Sequence, residues 1–185
     1  MILYHGTDLN SAANICKQGI DLGKSQKKLD FGAGFYTTPD IEKAKKRALL
    51  KSEGNAARAR IVAIEVDDVR FASLIKKEFN NANQEWCEFI LINRCGKALL
   101  SVMAGRDHNL DNRYDVVCGE IADSSISSIV YEIKKGKRKA EEVNYSELLP
   151  DSLRSYGYQI SFHTKKSLSC IIKCSCDRIS ERKVR

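Results

Sequence analysis

The pattern of apolar and polar residues divides the first part of the chain into short strands and helices. Residues 1–5 form an apolar run that predicts a buried strand, and residues 6–8, Gly-Thr-Asp, predict a turn after it. Asn10 can cap the short helix indicated by the apolar spacing that follows, and Gly19 is well placed to end it. The chain therefore begins with a strand, a turn and a helix.

A loop, a strand and a lysine-rich helix are predicted next. Residues 29–38 are rich in glycine and aromatic side chains, which suits a loop that leads into a strand. Asp40 is the predicted cap of a helix over Ile41–Lys51. The apolar run at residues 61–66, which ends in two aspartates, is typical of a strand bounded by a turn.

The middle of the chain changes to helical spacing. Between residues 69 and 94 the apolar side chains follow a helical pattern in two pieces. The second piece has a predicted cap at Asn81 or Asn83 and an end at Gly96.

The remaining third is predicted to contain four strands and one helix. The strands are predicted at residues 114–119, 129–133, 158–163 and 170–174, and a helix interrupted near Pro150 at residues 146–156. Helices and strands that mix without regular β-α-β alternation predict the α+β class. Because we find no repeat and no linker-like segment, we expect one domain over residues 1–176 and a polar tail over residues 177–185.

Composition supports one folded domain. The chain has 185 residues, of which 43% are hydrophobic, enough for one core. No apolar run reaches the length of a membrane span, and the first residues do not form a signal peptide. We therefore expect a cytoplasmic protein that does not interact with membranes. The net charge of +7 suits a polyanion such as RNA or DNA, and it equally suits solubility alone.

The seven cysteines are expected to be reduced thiols, because their number is odd and no export signal precedes them. Cys170, Cys174 and Cys176 with His163 are a candidate zinc site, but their spacing fits no standard zinc motif. On a strand these three cysteines would share one face as core residues, so no metal is expected. A cysteine nucleophile with a histidine base is weaker still, because no cysteine has a recognisable local setting for that chemistry.

Three short motifs bear on catalysis. They are LYHGT at residues 3–7, FGAGFYTTP at residues 31–39 and YQISF at residues 158–162. In their order and spacing they resemble the motifs of ADP-ribosyltransferases of the diphtheria-toxin and poly-ADP-ribose-polymerase branch, where the third strand usually carries Glu instead of Gln159. The region from Trp86 to residue 117 is similar to a bacterial family of this superfamily. Members of that family tend to be encoded beside a small partner protein, as a toxin is with its antitoxin.

The resemblance implies split, mainly antiparallel sheets with flanking helices around an NAD cleft. The catalytic positions that it implies are His5, Tyr36 and Gln159. The NAD-binding positions that it implies are His5, Gly6, Thr7, Gly34, Phe35, Tyr36 and Arg94. NAD would be the substrate, and no metal is implied.

The residue types permit these roles. Gly6 lacks a Cβ, so its main chain can approach the nicotinamide carboxamide, and His5 can hydrogen-bond a ribose hydroxyl. Tyr36 offers a flat face to the nicotinamide ring. Arg94 or the basic residues 45–47 can meet the pyrophosphate as charge-assisted donors, although Lys45 and Lys46 equally suit a solvated helix face.

Gln159 limits the mechanism that can be carried over. A neutral amide accepts a hydrogen bond from a ribose hydroxyl, but it supplies no negative charge and no base. Gln159 therefore favours transfer to an acceptor that is already nucleophilic, a carboxylate elsewhere in the site, or an inactive NAD-binding domain. It disfavours polymer elongation.

The expected function is mono-ADP-ribosylation of a protein or nucleic acid by the toxin of a bacterial toxin-antitoxin pair, with a small antitoxin-like partner. One alternative is a non-catalytic domain that binds NAD, ADP-ribose or an RNA end. Another is an RNA 2′-phosphotransferase, which shares the His-Gly-Thr opening. That enzyme requires further basic residues that we do not find in this sequence.

Overall fold

The computed structural model describes residues 1–123, 125–148 and 157–178, which form two β-sheets with helices packed on them. The strands are β1 (Ile2–Asp8), β2 (Phe35–Thr37), β3 (Ala59–Val66), β4 (Lys76–Glu78), β5 (Val116–Glu120), β6 (Tyr158–Phe162) and β7 (Ile171–Arg178). The helices are α1 (Leu9–Gln18), α2 (Ile41–Lys51), α3 (Asp68–Ala72), α4 (Gln84–Cys95), α5 (Ile126–Lys134) and α6 (Lys165–Leu168). Short 3-10 turns occur at Leu22–Lys24, Lys97–Leu99, Ala140–Glu142 and Tyr145–Leu148. The predicted α+β class is confirmed.

Both sheets are mainly antiparallel. The first has the strand order β1-β3-β7, and the second has the order β2-β6-β5-β4, with β4 and β5 parallel. Tyr4 on β1 and Thr38 after β2 exchange two main-chain hydrogen bonds of 2.8 and 2.9 Å. The first strands of the two sheets are therefore tied together directly.

Side-chain caps fix most helix starts. The Asp40 carboxylate accepts from the first amides of α2, and the Asn83 amide oxygen accepts from the Trp86 N–H at the start of α4. The predicted bounds of α2 and the alternative of a cap at Asn83 are confirmed. Helix α1 is capped by Asp8 and not, as predicted, by Asn10. Gly19 ends α1 with a φ of 84°, a conformation that favours glycine.

The turn predicted at residues 6–8 is wrong. Strand β1 continues through Gly6 and Thr7 to Asp8 because β3 pairs with it along its whole length, from Ile2 opposite Glu65 to Asp8 opposite Ala59. The turn follows at Asp8, where the carboxylate begins α1 directly. The pairing partner of Gly6, Ile61, is 55 residues away in the chain, and this pairing overrides the local turn preference of glycine.

The strand predicted at residues 129–133 is also wrong, because this segment lies in helix α5. Its buried side chains are Ile126, Ile129 and Val130, and that spacing places them on one helix face. A short apolar run such as residues 129–133 has the same pattern in a buried strand and in the buried part of a helix. Strand β4 was not predicted either. It is three residues long and lies between α3 and α4, within the region predicted to be helical.

Two predictions concern the C-terminal part. Of the helix predicted at residues 146–156, residues 146–148 lie in a 3-10 turn and the rest lie outside the described residues. Strand β7 continues to Arg178, and residues 179–185, most of the predicted polar tail, lie outside the described part.

The core has two clusters on opposite faces of the second sheet. One joins the two sheets and includes Leu3, Ile64 and Phe162. The other packs α4 and α5 against the second sheet around Trp86 and Phe89. None of the described helices is both long and apolar enough to cross a membrane.

Candidate functional site

The three motifs identified in the sequence lie on adjoining strands. His5 is on β1, Tyr36 is on β2, and Gln159 is on β6. Strand β2 pairs with β6 so that Tyr36 is opposite Ser161, two residues from Gln159 and on the same sheet face. The fold therefore brings together segments that are up to 154 positions apart in the chain.

His5 is fixed in one neutral form. Its Nδ1 is 2.7 Å from the Tyr36 main-chain oxygen, which can only accept, so Nδ1 carries the proton and Nε2 does not. Burial lowers the pKa of His5, and the charges of Arg47 and Lys51 lower it further. In the described part of the chain, no group donates a hydrogen bond to Nε2. His5 thus holds a free acceptor atom, with its ring 4.6 Å from that of Phe35.

The Tyr36 side chain is held through its hydroxyl. The hydroxyl donates to the Gly32 main-chain oxygen at 2.7 Å and accepts from the Phe31 N–H at 2.9 Å. Burial raises the pKa of Tyr36 well above its usual value, and the charge of Asp30 raises it further. The hydroxyl therefore stays protonated, and its two hydrogen bonds hold the Tyr36 ring against residues 31–32.

Gln159 belongs to a buried chain of polar side chains. Its Nε2 donates to Asp30 Oδ2 at 2.9 Å and to the Glu120 main-chain oxygen at 3.3 Å. Arg94 binds the other Asp30 oxygen, Oδ1, through Nε at 2.7 Å and Nη2 at 2.5 Å. Arg94 was predicted to be an NAD-binding residue, and in this structure its guanidinium is occupied by Asp30.

Gly6 has a packing role that sequence reasoning missed. A Cβ at this position would lie 1.9 Å from the Ala44 carbonyl oxygen, so glycine is what allows α2 to lie directly on β1. The neighbouring Thr7 is buried in β1, opposite Arg60. Packing therefore accounts for Gly6 without a ligand.

Gly34, a predicted NAD-binding position, packs against a side chain of the protein itself. A Cβ there would lie 2.7 Å from the His163 ring, so this glycine makes room for His163. The Gly34 N–H donates to Ser25 Oγ at 2.7 Å, and the Ser25 hydroxyl is 2.8 Å from the Gly34 oxygen.

His163 is buried beside this segment. Its Nδ1 is 2.7 Å from the Ala33 main-chain oxygen, and its Nε2 is 2.7 Å from Ser161 Oγ. Burial lowers the pKa of His163 from 6.5 to about 4. The sequence indicated His163 only as a candidate zinc ligand. In the structure its hydrogen bond to the Ala33 main-chain oxygen holds residues 33–34 in place.

The pKa of His163 predicts a loss of stability in mild acid. The unfolded chain takes up a proton near pH 6.5 that the folded chain resists until about pH 4. The contribution is complete above pH 6.5 and is lost as the pH falls, by roughly 2–3 kcal/mol in total at pH 4.5. Urea unfolding at pH 7.5 and 4.5 should show a smaller loss for His163→Asn than for the wild type. Equal losses in both proteins would contradict the prediction.

The chain matches the model of one protein family over residues 1–172, and the description of that family is "Protein of unknown function (DUF3990)". The chain belongs to the DUF3990 family. Neither a curated protein nor a solved structure matches it.

Asp30 is the site residue of this DUF3990 protein that sequence reasoning missed. It is 5% exposed and lies one position before the second motif. A buried carboxylate beside a glycine-rich turn is a usable signal, but an aspartate in a turn is too common to be recognised without its partners.

The cysteines of the DUF3990 chain are free thiols. Cys170 is buried, Cys174 is half-buried and Cys176 is exposed, so the prediction that all three are core residues is wrong for Cys176. The reason is that β7 lies at the edge of its sheet, where it is paired only with β3. Among residues 1–123, 125–148 and 157–178, no group of three or more His, Cys, Asp or Glu side chains has the geometry to hold a metal ion.

Two surface cavities of the DUF3990 fold lie away from the three motifs. One, of about 420 Å³, is lined by residues from Gln84 to Asp107, and the other, of about 280 Å³, lies between α1 and β7. Neither includes His5, Tyr36 or Gln159 in its lining.

Proposed function

We propose that this chain is an NAD-dependent ADP-ribosyltransferase that adds a single ADP-ribose unit to a protein or nucleic acid. The observation that carries the proposal is the neutral His5 ring with a free Nε2 acceptor, in the motif that resembles the opening of these enzymes. A ribose hydroxyl is a donor that fits this acceptor.

Positive charge beside His5 supports a ligand that contains phosphate. Arg47 and Lys51 are exposed, one turn apart on α2, and close enough for their charges to act on the His5 ring. Lys45 is paired with Glu42 instead. Because Arg94 is held by Asp30, we assign the pyrophosphate to Arg47 and Lys51 in place of Arg94.

The reaction that these groups support is transfer at the nicotinamide ribose. The bond from C1′ to the nicotinamide nitrogen breaks, and nicotinamide leaves with the electron pair. A new bond forms from C1′ to a nucleophilic atom of the acceptor, whose proton goes to solvent. Neither His5 nor Gln159 has to act as a base if the acceptor is already nucleophilic.

Release of labelled nicotinamide from NAD, with an acceptor-containing cell extract, tests the proposal. His5→Ala should lower release by about a hundredfold, as expected for loss of a preorganised polar contact in the transition state. Its melting temperature should fall only modestly, because the His5 side chain is half-buried and loses one hydrogen bond, to the Tyr36 main-chain oxygen, and the contact with the Phe35 ring.

His108→Ala is the matched control. His108 is also half-buried, but it caps a turn through a hydrogen bond from the Leu110 N–H, away from the three motifs. Release that is unchanged in His5→Ala would contradict the proposed role of His5.

A non-catalytic NAD-binding domain is the second candidate, because Gln159 is neutral and only 7% exposed. In that case the wild type binds NAD in calorimetry but neither releases nicotinamide nor labels an acceptor.

A further inference from the structure

The hydrogen bonds around Gln159 determine which way its amide faces. The Nε2 atom is within reach of two oxygens, Asp30 Oδ2 and the Glu120 main-chain oxygen. A carboxylate and a carbonyl accept hydrogen bonds and donate none. Both N–H groups of the amide therefore point at these oxygens, and Oε1 is left without a donor among the described residues.

Asp30 is itself held in one position. Arg94 occupies Oδ1 with two nitrogen atoms, which leaves Oδ2 for Gln159. The residues that follow Asp30 are fixed as well, because the Tyr36 hydroxyl binds both the Phe31 N–H and the Gly32 oxygen. The carboxylate is 5% exposed, so solvent screens these contacts little.

We propose that Asp30, held by Arg94, is a positioning residue that fixes the Gln159 amide so that its carbonyl oxygen accepts a hydrogen bond from the nicotinamide ribose. This rests on the function proposed above. Gln159 then presents an acceptor atom, as a glutamate does, but without the negative charge.

The same arrangement predicts that glutamate cannot simply replace Gln159. A carboxylate at position 159 would face the Asp30 carboxylate across the present 2.9 Å contact, with the Glu120 main-chain oxygen also close. Like charges at this distance cannot both remain ionised without an added partner. Exchange of both residues, Asp30→Asn with Gln159→Glu, removes the like-charge conflict between positions 30 and 159, because the new amide donates to the new carboxylate.

Steady-state nicotinamide release by four proteins tests the proposal: the wild type, the two single variants and the double variant. In Asp30→Asn, Arg94 attracts the new amide oxygen and the new amide nitrogen faces Gln159, which must turn its own nitrogen outwards. We expect kcat to fall roughly ten- to hundredfold, the effect of one hydrogen bond that forms in the transition state. Gln159→Glu should fall similarly, and the double variant should return to at least about a third of the wild-type kcat.

A buried carboxylate away from this chain provides the control. Asp115 is 6% exposed and accepts hydrogen bonds from Thr164 and the Ile75 N–H, so Asp115→Asn makes the same chemical change without touching Gln159. Its kcat should stay within about threefold of the wild type, as expected when no contact to the reacting groups changes. A loss of kcat in Asp30→Asn alone, with rescue in the double variant, supports positioning, since a merely structural loss would add in the double variant.

The failures of the two proposals are distinguishable. An active wild type with an unchanged kcat in Asp30→Asn, or with no rescue in the double variant, overturns the positioning role and leaves the transferase proposal in place. A wild type that releases no nicotinamide while it still binds NAD overturns the transferase proposal and, with it, the role of Asp30 towards the ribose.

Discussion

Gly6→Ala should destabilise the protein by at least about 3 kcal/mol, because overpacking of this kind cannot be relieved by a side chain that swings away. The added methyl would lie 1.9 Å from the Ala44 carbonyl oxygen and 2.8 Å from the Ala48 nitrogen, which are main-chain atoms of α2. The helix must move off β1 as a unit, and the buried contacts of Ala44 and Ala48 are lost with it.

Urea unfolding followed by circular dichroism measures this loss. Gly23→Ala is the matched control, since its nearest neighbour is the Asp21 carboxylate at 3.1 Å, a side-chain group that can shift. We expect a change within about 1 kcal/mol for the control. A Gly6→Ala protein as stable as that control would mean that α2 does not lie on β1 as described.

Arg94→Met should also have a large effect on stability. It leaves the Asp30 carboxylate buried with only the Gln159 amide as a side-chain partner. Removal of one partner of a buried ion pair costs about 3–5 kcal/mol. We expect a loss at the lower end of this range, because the Arg94 side chain is 22% exposed.

Two further variants separate charge from packing. In Arg94→Met with Asp30→Asn, the uncompensated charge is gone, so at least half of the lost stability should return. Arg106→Met breaks the ion pair between Arg106 and Glu88. Because the Arg106 side chain is 60% exposed, this change should alter the free energy of unfolding by less than about 1 kcal/mol. Equal losses for Arg94→Met and Arg106→Met would show that the Asp30 pair is no more important than a surface pair.

The sequence predicts most elements of this fold where local signals fix them. Asp40 and Asn83 begin helices because their side chains satisfy amides two or three residues away, and Gly96 ends one with a positive φ of 85°. The strand through Gly6 and the helix at residues 126–134 were not predictable in the same way. Their structure depends on partners that are distant in the sequence.

The candidate site, like the fold, could be predicted from the sequence only in part. The order and spacing of the three motifs point to His5, Tyr36 and Gln159, and the fold places these residues on adjoining strands. The role of Asp30 was not readable, because it follows from hydrogen bonds to residues 64 and 129 positions away. A pattern of residue types does not state which atom of an amide faces which oxygen.

The two main-chain hydrogen bonds between Tyr4 and Thr38 have a mechanical consequence. They join the strand of His5 to the strand of Tyr36, so these two residues keep their separation when either sheet moves. A hinge at this edge would have to break both bonds at once. Movement of the two sheets relative to each other at this edge is therefore resisted by main-chain hydrogen bonds as well as by side-chain packing.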